Sequence, residues 1–172
     1  MDYPIRKAHS EDVGSIFAIM KNAAAETQNS GLFLSDDIDY ITDHIEKNGM
    51  TFVAEADNTL AAFLAIDIPG NSPHNLGLDI GLPLCELSKV ALMDSIVVSS
   101  EFRGNSLQKA LLEYAQAQAA AMGYIHFMAT VHPDNAPSLK SFLSLGYVIK
   151  VTKPKYGGLL RHILYKNADS HK

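Results

Sequence analysis

Met93-Asp94-Ser95-Ile96-Val97-Val98-Ser99-Ser100-Glu101-Phe102-Arg103-Gly104-Asn105-Ser106-Leu107-Gln108-Lys109-Ala110-Leu111-Leu112 is the stretch on which the reading of this chain turns. Lys89 to Val98 has the pattern of a central strand. Val90, Leu92, Asp94, Ile96 and Val98 fall on one face of an extended chain, and Ala91, Met93, Ser95 and Val97 on the other. Both faces are mainly apolar, as in a strand covered on both sides. Ser106 to Met122 is alanine-rich and helical, closed by Gly123. A strand feeding a helix through a short loop leaves unpaired backbone N–H groups at the helix start, where the helix dipole is positive, and that geometry suits phosphate. Gly104 permits tight backbone angles, and Arg103 and Lys109 add positive charge. Taken alone, the loop reads more readily as an ordinary connection with a surface arginine.

Downstream, Tyr124 to Val131 is a strand, and Asn135 to Leu145 a short helix with Pro137 in its first turn and Gly146 after it. Tyr147 to Thr152 and Leu159 to Lys166 read as strands. Upstream, residues 3–8 form a short strand. Ser10 then reads as the cap of a helix whose stripe is Val13, Ile16, Phe17, Met20 and Ala24. Thr27 to Ser35 is a loop. A second helix spans about Asp36 to Lys47, with Ile38, Ile41 and Ile45 as its stripe and Gly49 beyond its end. Thr51 to Ala56 and Thr59 to Ile66 form a hairpin around Asp57-Asn58. Pro69 to Pro83 is irregular, a long loop of the kind that is functional or mobile. The expected order is βααβββαβαββ in one α/β domain over residues 1–168, with 169–172 as a disordered tail.

Composition narrows the function. The chain has 172 residues, 47% of them hydrophobic, enough for a sizeable core. No apolar run is long enough to span a bilayer, and the N-terminal residues carry no signal core, so a cytoplasmic protein without a membrane partner is expected. The formal net charge of −5 argues against a nucleic-acid-binding face. Cys85 is the only cysteine, so no intrachain disulfide forms. The seven histidines show no spacing with cysteine or carboxylates that suggests a metal site.

Two segments together resemble the GNAT superfamily of acyl-CoA-dependent N-acetyltransferases. The first is Val98 through Gln108, which resembles the family's strand, turn and Arg/Gln-x-x-Gly-x-Gly/Ala helix opening. The second is Asn135, Ser138, Phe142, Gly146 and Tyr147, at the spacing of the family's Asn-x-x-Ala-x-x-x-Tyr-x-x-x-Gly-Phe. The order of elements fits as well. The resemblance implies a mixed, largely antiparallel sheet with helices on both sides. It also implies acetyl-CoA bound along Ile96, Val97, Val98, Arg103, Gly104, Asn105, Ser106, Leu107, Gln108, Lys109, Asn135, Ser138 and Phe142. The activity it implies is acetyl transfer to a primary amine of a small molecule or peptide, and a homodimer is allowed for. The alternatives are an inactive CoA-binding or sensing domain and an interaction module without CoA.

Three residues depart from the family pattern. Ser106 and Gln108 stand where it has glycine or alanine, and Phe142 where many members carry the tyrosine that protonates the leaving thiolate. A general acid must then come from elsewhere, and Tyr156 and Tyr147 are the candidates, with His132 behind them. Asp94, where the family often has an acidic residue, is the candidate base, with a purely structural carboxylate as the equal alternative. The Pro69–Pro83 segment and the loop after the first helix are expected to shape the acceptor pocket. The acidic balance leans towards a cationic acceptor.

Overall fold

The computed structural model describes residues 3–27, 31–33, 36–47 and 49–168. The expected tail at 169–172 and part of the 27–35 loop lie outside them. Seven strands form one sheet: β1 (Ile5–Lys7), β2 (Gly49–Ala56), β3 (Thr59–Asp67), β4 (Val90–Val98), β5 (His126–Val131), β6 (Val148–Lys155) and β7 (Leu159–Asn167). Their spatial order is β1-β2-β3-β4-β5-β7-β6. Neighbours are antiparallel throughout, except the parallel pair β4 and β5. Helices α1 (Val13–Glu26), α2 (Ile38–Glu46), α3 (Leu107–Ala121) and α4 (Ala136–Ser144) give the expected element order.

The two faces of the sheet are covered differently. Ile16 and Met20 of α1 and Ile41 of α2 pack on Val53, Phe63 and Val97. Leu107, Leu111, Leu112 and Ala115 of α3 and Phe142 of α4 pack on the opposite face, against Phe52, Leu64, Met93 and Phe127. Leu111 and Leu112 are fully buried, and truncating either to alanine costs about 2–5 kcal/mol. At the sheet's first edge, Arg6 bridges Asp12 at 2.7 Å and Glu55 at 2.6 Å. The Arg6 hydrogen bond holds the Asp12 carboxyl below its ordinary range and ties β1 to the start of α1. Among the described residues no helix is long and apolar enough to cross a membrane.

Four local expectations are corrected. A 3-10 turn over Ser10–Asp12 precedes α1, so Ser10 does not cap it. Gly49 does not follow α2 as a cap; it opens β2 opposite Asp67, and a Cβ there would stand 2.2 Å from the Ile66 carbonyl oxygen. The Pro69–Pro83 segment is ordered. Asn75 is buried and donates to the carbonyls of Gly70 and Leu87, while Leu76 packs on Val90, Leu92, Met128 and Ile163. The fourth correction concerns β4. Ala65 pairs with Ser95 and Ile66 with Met93, so Asp94 is an extra residue without a partner on β3. This bulge shifts the alternation by one. Ile96 and Val98 therefore pack on the face of Ala91 and Met93, not that of Val90 and Leu92.

Candidate active site

The cleft starts from an interruption in the sheet. β4 and β5 pair only from Val90 to Leu92, against His126 to Met128. Beyond that the two strands part, although β4 stays paired to β3 as far as Val98. The edge of β4 that faces β5 thus presents backbone N–H and C=O groups with no strand across from them. Such groups need a partner or water. A cavity of about 270 Å³ occupies the wedge. Met93 to Ile96 of β4, Thr130 and Val131 of β5, and Ser138 and Phe142 of α4 line it, together with Tyr156, Arg161 and His132. Leu32, Phe33 and Asp36, from the segment between α1 and α2, close one side. The segment after α1 thus lines the cavity as expected, whereas no residue of Pro69–Pro83 is among its walls.

A larger groove of about 660 Å³ adjoins this cavity and shares Leu32, Phe33, Ile96, Asn135 and Ser138 with it. Val97 and Val98, then Arg103, Gly104, Ser106, Leu107 and Gln108, form one wall. The chain turns at Ser100–Phe102 and enters α3 through two left-handed residues, Gly104 (φ 83) and Ser106 (φ 59). These angles bring the N–H groups of the first helical turn to the groove wall, where the helix dipole favours an anion. Gln108 Nε2 donates to Ser138 Oγ at 3.0 Å, which links α3 to α4, and Asn135 caps α4 by accepting from the Ser138 N–H at 3.3 Å. Arg103 is held by Glu26 of α1 at 2.6 Å. Asn105 folds back onto the Phe102 carbonyl and Lys109 is exposed, and neither lines the groove.

Asp94 carries most of the cavity's electrostatics. The bulge turns it out of the ladder; the residue as a whole is exposed, with its carboxylate drawn in against Tyr40. Its carboxylate accepts a hydrogen bond from the Tyr40 hydroxyl of α2. Burial pushes its pKa above the ordinary carboxylate range, and the Tyr40 bond offsets only part of this. Asp36, on the same cavity wall, is likewise raised, first by burial and then by the charge of Asp94. Tyr40 is held in turn by its helix, its ring tilted at 33° against that of His44 with centroids 4.0 Å apart.

The candidate acids separate clearly. Tyr156 sits in the β6–β7 turn at φ 48, a strained angle for an aromatic residue. Its ring lines the cavity, its hydroxyl is 3.1 Å from that of Thr130, and desolvation of that hydroxyl raises its pKa although the residue as a whole is 49% exposed. Tyr147 lies instead in the core, 2% exposed, edge-on to Phe142 at 4.9 Å, outside the cavity wall. Its hydroxyl is buried with no hydrogen-bond partner among the described residues. His132 lines the cavity and accepts from the Asp134 N–H at 3.1 Å. Sequence reasoning passed over Tyr40, Asp36, Thr130 and Arg161. Tyr40 lies off the apolar stripe of α2, the one signal that could have drawn attention to it.

A mixed sheet parted between its two parallel strands, with a helix N-terminus at the mouth of the opening, defines an α/β domain with a two-part cleft. Residues 16–147 match the family model described as the Acetyltransferase (GNAT) family, and the chain belongs to that family. No curated protein matches the chain. The fold is shared with solved structures of low sequence identity. An N-acetyltransferase from Staphylococcus aureus Mu50 is 22% identical at a TM-score of 0.71, over 96% of this chain and 97% of that one. The ribosomal-protein-S18-alanine N-acetyltransferase of Escherichia coli is 15% identical at 0.69, over 99% of each. A phosphinothricin acetyltransferase from Sinorhizobium meliloti, solved in complex with AcCoA, is 16% identical at 0.74, over 97% of this chain and 89% of that one.

Proposed function

We propose that this protein transfers an acetyl group from acetyl-CoA to a primary amine of a small molecule or peptide. The observation that carries the reading is the parting of β4 from β5, continuous with the groove at the start of α3. The residues fit such a cosubstrate. The first turn of α3, entered through Gly104 and Ser106, offers N–H donors to a pyrophosphate. The unpaired edge of β4 around Ile96 to Val98 offers backbone partners to the amides of a pantetheine arm. Asn135, Ser138 and Phe142 line the passage between. Arg103, already bound to Glu26, and Lys109 contribute positive charge near the rim, and Asn105, bonded to the Phe102 carbonyl, shapes the exposed helix start.

Acetyl-CoA supplies an activated thioester; the chain supplies proton handling and position. Asp94 accepts the proton that the amine gives up, directly or through a water. Its raised pKa makes it a better base than an ordinary aspartate. Tyr156 keeps its proton at neutral pH and donates it to the departing sulfur. Tyr147, within the core, serves packing in this scheme. Phe142 presents a bare ring to the cavity, the one observation that favours a CoA-binding domain without turnover. Calorimetry with CoA and a thiol-release assay over an amine panel test both readings. CoA binding with acceptor-dependent thiol release is the expected result. Binding without release for every amine would favour the sensing domain, and no CoA binding would overturn both.

A further inference from the structure

The cavity wall contains a cation that the transfer chemistry leaves unused. Arg161, on β7, is 3% exposed yet lines the cavity. Among the described residues it makes one hydrogen bond, from Nη1 to the carbonyl of Leu160 at 3.1 Å, and no ion pair. Its cross-strand neighbour Lys153 has a carboxylate: Asp79 takes Lys153 at 2.6 Å and Lys155 at 2.7 Å. Arg161 has none. Buried charges in proteins are as a rule paired, because the desolvation they suffer is otherwise uncompensated. A guanidinium carries five N–H donors in a planar fork that matches a carboxylate. Most of that fork has no acceptor among the described residues.

The same cavity carries the opposite sign on Asp94 and Asp36. At about 270 Å³ it lies at the small end of ligand sites, so one compact molecule would meet both charges. We propose that Arg161 is an anion subsite of the acceptor pocket and that the acceptor is a small zwitterion, an amino acid or close analogue, with its amine towards Asp94 and its carboxylate on Arg161. This deepens the acetyl-transfer reading and rests on it. The acceptor's ammonium first loses one proton to solvent to become the free amine, and its nitrogen gives a second to Asp94 as it bonds to the acetyl carbon. The carbon–sulfur bond breaks with its electron pair on sulfur, which takes a proton, and the acceptor's carboxylate leaves unchanged.

The test uses acceptor pairs that differ by one carboxylate: lysine and cadaverine, ornithine and putrescine, histidine and histamine, tyrosine and tyramine. In thiol-release assays the preferred amino acid should exceed its decarboxylated partner at least tenfold in kcat/KM. Arg161→Gln should raise KM for that amino acid at least tenfold, leave KM for acetyl-CoA within twofold, and shrink the pair's ratio to threefold or less. Arg161→Lys, which keeps the charge without the fork, should recover part of the loss. Circular dichroism and CoA affinity confirm that the variants fold. Equal or better turnover of the decarboxylated amines would overturn the proposal, and so would an Arg161→Gln effect confined to acetyl-CoA. If nothing is acetylated, calorimetry of the same pairs on the CoA-saturated protein decides. Amino-acid binding lost in Arg161→Gln would uphold the subsite while the transfer reading fails; absence of binding by every amino acid overturns the subsite, whatever CoA does.

Discussion

Ser106 stands at φ 59 and ψ 19, a left-handed angle that costs an L-residue about 1–2 kcal/mol. Glycine adopts it freely but loses more entropy on folding. The balance predicts that Ser106→Gly raises stability, by up to about 1 kcal/mol in urea denaturation, and that CoA affinity in calorimetry is kept or improved. A tenfold loss of affinity would show instead that the hydroxyl contacts the cosubstrate. Tyr156 is also held at a positive φ, and there the angle sets its ring over the cavity beside Thr130. Tyr156→Phe keeps the ring and removes the proton; it should lower kcat by about 10²-fold with little change in KM for acetyl-CoA. On the proposed mechanism, in which the acid comes from the β6–β7 turn, Phe142→Tyr in the native protein should gain nothing. A faster Phe142→Tyr enzyme with an unaffected Tyr156→Phe would remove Tyr156 from the mechanism.

Elements set what these residues can do. The bulge in β4 turns Asp94 out of the ladder, and α2 brings Tyr40 to it across the sheet face. The Tyr40 hydroxyl donates to the charged form of Asp94, so it lowers a pKa that burial raises. Removing it in Tyr40→Phe takes away the largest influence opposing burial, and the pKa rises further. A base must be deprotonated to act, so activity falls as pH drops through that value. The acid limb of the kcat/KM profile should therefore move to higher pH in Tyr40→Phe. An unmoved limb would make Asp94 a structural carboxylate. The Pro69–Pro83 segment serves a different purpose from the one its irregular sequence suggests. Asn75 replaces regular secondary structure as the source of backbone partners, and Leu76 covers the sheet where α1 and α2 do not reach.

At the scale of the molecule, the two halves of the sheet meet only along the short β4–β5 pairing, and α3 and α4 span the opening through Gln108 and Ser138. A ligand lying in that opening would bridge both halves and stabilise the whole. With CoA at a hundred times its dissociation constant, linkage gives about 2.7 kcal/mol, which for a chain of this size raises Tm by roughly 5–10 °C. Differential scanning calorimetry with and without CoA measures this. A shift below 1 °C at saturation would count against a site between the halves.

Much of this architecture is legible in the chain itself. Period-two and period-3.6 patterns, the turn at Asp57-Asn58 and the Asn135 cap are local, and each was realised within a few residues. The loop from Arg103 to Gln108 was located the same way, because a strand, a glycine and a helix start are neighbours in sequence. Tertiary structure alone decided the rest. The bulge at Asp94 depends on how β3 pairs with β4, and alternation within one strand cannot announce it. Tyr40 and Asp94 meet across 54 positions of sequence, and a helix surface residue gives no sign of which strand it will face. Tyr147 and Tyr156 were equal candidates as letters; packing put one inside the core and a strained turn put the other on the cavity wall. Arg161 read as one polar residue in a strand. Only the folded chain shows that it is buried beside the cleft with no carboxylate partner among the described residues, because a missing partner is a property of everything around it.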